Sequence, residues 1–232
     1  MRRLKRILWK LLLLLLLGIA LGVVAAYFQW EDKTLQIVII GCCGVYLAVT
    51  LLHYFLVIHP YRRRVLQQAA DMEAGRAAEA LEDIQRMMEE PRVRRSKYLT
   101  NGCQINLTAA YCHLGQDQAA LDQLRAIPEK QLKGDFELVY HLNTAICLFY
   151  TGSEQEGLSH YLAHRKLFHA YRKHPYYGGN LAVLQCWSML AQGQAEEATE
   201  VLRQAKETWT KPSLQDAYEK LERRLTDGKE TL

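Results

Sequence analysis

Two histidines four residues apart, His160 and His164, fall on one face of any helix that holds them, the spacing of a metal-binding pair. No third ligand is evident, because His169 and His174 follow at five-residue steps and turn about 140° further round the helix each time. H-E-x-x-H is also missing, so no metal site and no cofactor are expected. The stretch 160–177 is basic and aromatic as well. Arg165, Lys166, Arg172 and Lys173 stand beside Tyr171, Tyr176 and Tyr177, which suits an RNA or an acidic ligand, or else a solvated helix face. Gly178-Gly179 reads as a turn closing this segment and not as a phosphate loop, since G-x-x-x-x-G-K-[ST] occurs nowhere. The six cysteines contain no C-x-x-C and match no zinc-module spacing; they read as small buried apolar residues. Without G-x-S-x-G or a nucleotide fingerprint, the chain is not expected to be an enzyme.

The elements that position these residues begin with two apolar runs. Leu11 to Phe28 holds 18 residues and Leu35 to Ile58 holds 24, neither with a charge. At ~1.5 Å of rise per residue they reach roughly 27 and 36 Å, against a hydrocarbon core of about 30 Å. Both read as transmembrane helices, 11–28 and 35–58, joined by an external turn at 29–34. Arg2, Arg3, Lys5, Arg6 and Lys10 make residues 1–10 a basic N-terminus, and Arg62, Arg63 and Arg64 follow the second run. Basic flanks stay in the cytoplasm, so both ends are expected inside. Cleavage after Val24-Ala25-Ala26 is the rival reading, but the first apolar run exceeds a usual signal core. His53, near the inner end of the second run, is the one Asp, Glu, Lys, Arg or His expected within a span; as a neutral imidazole near the interface it is not assigned a transport role. Gly18 and Gly22 form a G-x-x-x-G, and Gly41 and Gly44 give the second run its own small patch. Such patches let helices approach closely in lipid, here within one hairpin or, alternatively, across a homodimer.

The net charge of +4 lies entirely in residues 1–34, with six Lys/Arg against two Asp/Glu, while residues 61–232 carry 23 of each sign. The excess is therefore a topology signal and a contact for anionic lipid, and nucleic acid is not an expected partner.

Residues 62–226 form the expected cytoplasmic domain, and roughly 62–210 of it repeat. Gly75, Gly115, Gly152 and Gly193 are separated by 40, 37 and 41 residues. Five residues after each stands a small residue (Ala80, Ala120, Gly157, Ala198), and nine after each a large apolar one (Ile84, Leu124, Tyr161, Leu202). Each glycine separates two stretches of helical apolar spacing, so the unit is helix, Gly turn, helix. Leu107, Thr108, Tyr111, Gly115, Ala120, Leu124 and Ile127 in the second unit carry a resemblance to the tetratricopeptide repeat (TPR) family. Ala145, Leu148 and Gly152 in the third unit, and Cys186, Met189, Gly193 and Ala198 in the fourth, extend it. The first unit fits less well, with Gln67, Gln68 and Asp71 where the family is apolar or small.

The resemblance implies that the first helix of each unit lines a groove for a protein or peptide partner. Carried over position by position, the groove is Asn106, Ala109, Cys112 and His113, then Asn143, Ile146, Phe149 and Tyr150, then Trp187, with Leu184 and Leu190 beside it. Asn106 and Asn143 are equivalent, and an amide can bond both polar groups of a peptide backbone. The carboxylate clamp of the family's co-chaperone members is not implied, because Gly102, Val139 and Val183 stand at those positions. An apolar or aromatic ligand face is expected instead. The segment 213–225 reads as an amphipathic capping helix and 227–232 as a frayed tail.

The expected architecture is all-α: a transmembrane hairpin, a TPR-like α-solenoid of about four units and a C-terminal cap. The expected protein is a membrane-anchored adaptor or scaffold facing the cytoplasm, in a bacterial plasma membrane. One alternative is an accessory subunit that uses the hairpin as its interface. The other is a nucleic-acid or acidic-ligand binder acting through 160–177.

Overall fold

A computed structural model describes residues 32–230 together with Val24, Ala26 and Tyr27. The basic N-terminus, most of the first apolar run with Gly18 and Gly22, residues 29–31 of the connecting turn, and the last two residues lie outside that set. The described chain is all-helical and divides into two units at Pro60–Tyr61.

In the first unit, helix α1 spans Asp32–His53 and a π-helical turn follows over Tyr54–Ile58. Asp32, Lys33 and Thr34, expected in the external turn, are therefore helical; no Pro or Gly stands there to stop the helix. Helix α2, His59–Glu73, begins three residues before the expected boundary at 62, has Pro60 in its first turn, and from Tyr61 onward belongs to the second unit. Proline offers no N–H to the carbonyl four residues back, and the π-turn lies directly upstream of it. One helical stretch among the described residues, Gln36–Glu73, is long and apolar enough to cross a membrane by length and composition. Ile37, Ile40, Val45 and Leu47 on it are exposed. A Cβ added at Gly41 or Gly44 would meet nothing within 4 Å, so the small patch has no packing partner among the described residues.

The second unit continues with α3 (Ala77–Glu89), α4 (Pro91–Arg95), α5 (Lys97–His113), α6 (Asp117–Ala126), α7 (Asp135–Tyr150), α8 (Glu154–Tyr171), α9 (Gly178–Leu190), α10 (Ala195–Thr208) and α11 (Gln215–Glu230). The four repeat glycines end α2, α5, α7 and α9, each with positive φ between 68° and 82°. At each, two backbone bonds close the helix end in the same way. Gly115 N–H donates to Cys112 C=O (3.1 Å) and Gln116 N–H to Tyr111 C=O (2.9 Å). The pairs at Gly75, Gly152 and Gly193 repeat this, so all four are Schellman ends, which satisfy carbonyls that a helix terminus would otherwise orphan.

Helix pairs α5/α6, α7/α8 and α9/α10 follow these turns and pack side by side, while α5 packs on α7, α7 on α9 and α9 on α11. The small residues at the repeat positions are buried: Ala80, Ala120, Ala198 and Gly157. A Cβ at Gly157 would lie 3.2 Å from the Phe149 ring. Ile84, Leu124 and Leu202 fill the space between helices. The core comes in three sections along the chain, over α2–α5, α5–α7 and α7–α11.

Two features differ from expectation. Gly178 and Gly179 are not a terminating turn; they are the first residues of α9 and are buried. An added Cβ at Gly178 would fall 2.6 Å from the Trp209 ring, and one at Gly179 would overlap Leu214 Cδ1, so glycine is required there by close packing. Helix α11 runs through Glu230, past the expected end at 226, on its own ladder of backbone bonds.

Candidate functional site

The first helices of successive units, α2, α5, α7 and α9, line one cavity of about 510 Å³, and the start of α11 forms a further wall. The volume lies in the usual range for ligand pockets. Val65, Ile105, Phe136, Val139, Ile146 and Val183 give it an apolar wall, and Leu66 (61% exposed), Tyr98 (53%) and Tyr176 (64%) leave apolar surface uncovered around it. Arg62, Lys133, Glu73, Asp135 and Asp216 add charges of both signs to its lining.

Asn106, Ala109, Cys112, His113, Asn143, Ile146 and Tyr150 all line this cavity, so the structure brings most of the expected groove together. Phe149 and Trp187 do not line it. They are 4% and 8% exposed and stack on one another in the α7–α11 core, with ring centroids 6.1 Å apart. Leu184 is also fully buried, and Leu190 packs against the same core. Phe149 stands one position from cavity-lining Tyr150, about 100° round the helix, which is enough to turn it from the groove into the core.

The asparagines are already engaged. Asn106 Nδ2 donates to Val65 C=O (2.9 Å) and to Gln68 Oε1 (3.2 Å), and Asn143 Nδ2 donates to Thr108 Oγ1 (3.4 Å). Their amide donors therefore tie helices together. Gln68, expected to be a misfit in the first unit, is buried in that network: its Nε2 donates to Asp83 Oδ2 at 2.7 Å. Arg64 pairs with the same carboxylate and with Glu90 (2.8 Å), which also accepts from Tyr61 Oη at 2.5 Å. Through its hydrogen bonds the Arg64 guanidinium holds the Asp83 carboxyl below its usual range. Arg64 thus belongs to a structural ion network, while Arg62 lines the cavity.

Lys211, just before α11, bonds Glu73 at the end of α2 (3.0 Å) and lies 4.9 Å from the Tyr176 ring centroid. This contact ties positions 138 residues apart across the two ends of the helical array.

The histidine pair does have a third partner. His141, from α7, is 2% exposed; its Nδ1 lies 3.2 Å from His160 Nε2, and its ring stacks on His164 with centroids 3.5 Å apart. One ring nitrogen from each of the three falls within 4.8 Å of the others. Burial, reinforced by the neighbouring imidazoles, lowers the pKa of His141 and of His160 to about 4. Cys112 and Cys147 are likewise brought together, with sulfurs 3.3 Å apart and the Asp117 carboxylate beside them. Neither grouping shows in the sequence, because each joins residues of neighbouring helices.

In the segment 160–177, Arg165, Lys166, Arg172 and Lys173 are exposed. Tyr171 and Tyr177 pack against the α7–α11 core, and Tyr176, the most exposed of the segment's three later tyrosines, has Lys211 over its ring. No protein-family model matches this chain, and no curated protein and no solved structure matches it either.

Proposed function

We propose that this chain is a membrane-anchored, TPR-like adaptor that holds an apolar segment of a protein partner in the concave cavity at the cytoplasmic face. The observation that carries this reading is the cavity itself: four successive first helices line it, and Leu66, Tyr98 and Tyr176 leave its surroundings apolar. Four Schellman ends at near-equal spacing support a repeated helix-turn-helix array. Because both Asn106 amide donors and one of the two of Asn143 are engaged between helices, recognition rests on shape and apolar contact more than on capture of a peptide backbone. The long apolar stretch supports the anchor, and the arginines after it support the cytoplasmic orientation. Anchoring confines the partner near membrane machinery and raises its effective concentration.

A photo-activatable residue in place of Tyr98, in the full-length chain in membranes, tests this reading. It should crosslink to a discrete protein partner, and Leu66→Glu should abolish the adduct. The same label at Arg165 should give none. Equal crosslinking at both sites, or none at Tyr98, would remove the cavity as the binding surface. The accessory-subunit reading gains from one observation, the uncovered faces of Gly41 and Gly44, and crosslinks confined to those positions would favour it.

A further inference from the structure

We infer that His141, His160 and His164 form a binding site for a borderline divalent transition metal, with Zn2+ as its simplest occupant. Three observations carry the site. First, the ligand set is complete enough: three imidazoles are a known protein donor set for tetrahedral zinc, and they leave a fourth position for water or a carboxylate. Second, the geometry is near the required one. Two nitrogens held about 2.1 Å from a tetrahedral zinc lie about 3.4 Å apart. The His141 Nδ1 to His160 Nε2 distance is 3.2 Å, and all three ligand atoms lie within 4.8 Å of one another. Closing the set requires half-buried His164 to leave its stack on His141 and turn its ring so that the in-plane lone pair meets the metal, with a shift of its nitrogen of up to about 1.4 Å.

Third, a carboxylate stands behind the buried histidine. Glu129, in the 3-10 turn Glu129–Gln131, places its Oε1 3.9 Å from His141 Nε2, the ring nitrogen that faces away from His160. A carboxylate there favours the proton on Nε2 and leaves Nδ1 with its lone pair toward the cluster. At 3.9 Å the pair is not hydrogen-bonded, and the outer-shell arrangement that orients metal-bound histidines needs this exposed carboxylate to close by about 1 Å. The donor chemistry selects among metals: imidazoles without a carboxylate cage suit zinc, nickel, cobalt or copper, and not magnesium or calcium.

A metal here would clip α7 to α8 beside the turn that carries Glu129. The site is separate from the concave cavity, since none of the three histidines lines it. Its success or failure is therefore independent of the adaptor reading.

The test uses the full-length, untagged chain in detergent, titrated with Zn2+ by calorimetry and with Co2+ by visible absorption. The expected result is one Zn2+ per chain, a tetrahedral Co2+ spectrum, and a zinc X-ray absorption shell of nitrogen near 2.0–2.1 Å with no sulfur near 2.3 Å. His160→Gln and His164→Gln should each weaken binding at least tenfold, and Glu129→Gln severalfold. Cys147→Ser should leave binding unchanged. Zinc should raise the unfolding temperature of the parent chain and not of the histidine variants. Binding below one equivalent, a sulfur shell, or undiminished affinity in both histidine variants would overturn the site. The stoichiometry and ligand shell of the parent chain discriminate between these outcomes even if a variant misfolds.

Discussion

At the scale of single residues, the polar contacts around Asp83 replace apolar packing where α2 meets α3. Arg64, Gln68 and, through Gln68, Asn106 converge on this carboxylate. Removing it leaves a buried amide and a half-buried guanidinium short of a partner. Asp83→Ala should therefore cost about 1–3 kcal/mol in thermal or denaturant unfolding of the detergent-solubilised chain. The sign of the pH effect follows from the depressed folded-state pKa of Asp83. The unfolded chain binds the extra proton first, so the contribution is complete above roughly pH 4 and is lost as pH falls through the folded value. Asp83→Asn should flatten the acid limb of the stability curve; an unchanged limb would show that other carboxylates set it. Gln67, Gln68 and Asp71 make the first repeat look irregular for a related reason. A pattern of apolar spacing has no means of registering a buried glutamine whose amide is satisfied by a residue 15 positions away.

At the scale of elements, glycines of two kinds predict two different costs. Gly152 sits at φ +80° with nothing within 4 Å of an added Cβ, so Gly152→Ala pays only for the left-handed backbone, about 1–2 kcal/mol. Gly179 has ordinary φ, but its added Cβ would overlap Leu214 and crowd Trp209. Gly179→Ala should cost more, about 2–3 kcal/mol or beyond, and should perturb the start of α11 in hydrogen exchange. Comparable costs for the two variants would contradict this distinction. The four turn glycines are legible in the sequence because a Schellman end is local: its bonds and its positive φ lie within a few residues. Gly178-Gly179 misleads because its cause is tertiary. Two adjacent glycines suggest a turn on local grounds, and only the position of Trp209 and Leu214 makes them a close-packing site.

At the scale of the whole molecule, Lys211 is the contact with the widest span. It ties the end of α2 to the approach to α11, both of which border the cavity. The pair is partly exposed, so Lys211→Ala should cost no more than about 1 kcal/mol of stability. It should instead raise hydrogen exchange in α2 and α11 by up to about fivefold, the factor that such an energy allows. Exchange that rises uniformly, or not at all, would show that the pair does not hold the ends of the array.

By itself the sequence determined the all-helical class, the unit boundaries at the repeat glycines, the small and large packing positions, and the apolar stretch long enough to span a membrane. These properties follow from spacing, composition and local backbone conformation, which a linear chain carries explicitly. Seven of the expected groove positions line one cavity, because equivalent positions on equivalent helices face the same way. Tertiary structure decided which side chains complete each surface: that Phe149 and Trp187 turn into the core, that the Asn106 donors and one Asn143 donor are engaged between helices, and that His141 joins His160 and His164. Each of these depends on the rotation of one helix against another. Facing advances by about 100° per residue, so one position along a helix separates a groove residue from a core residue.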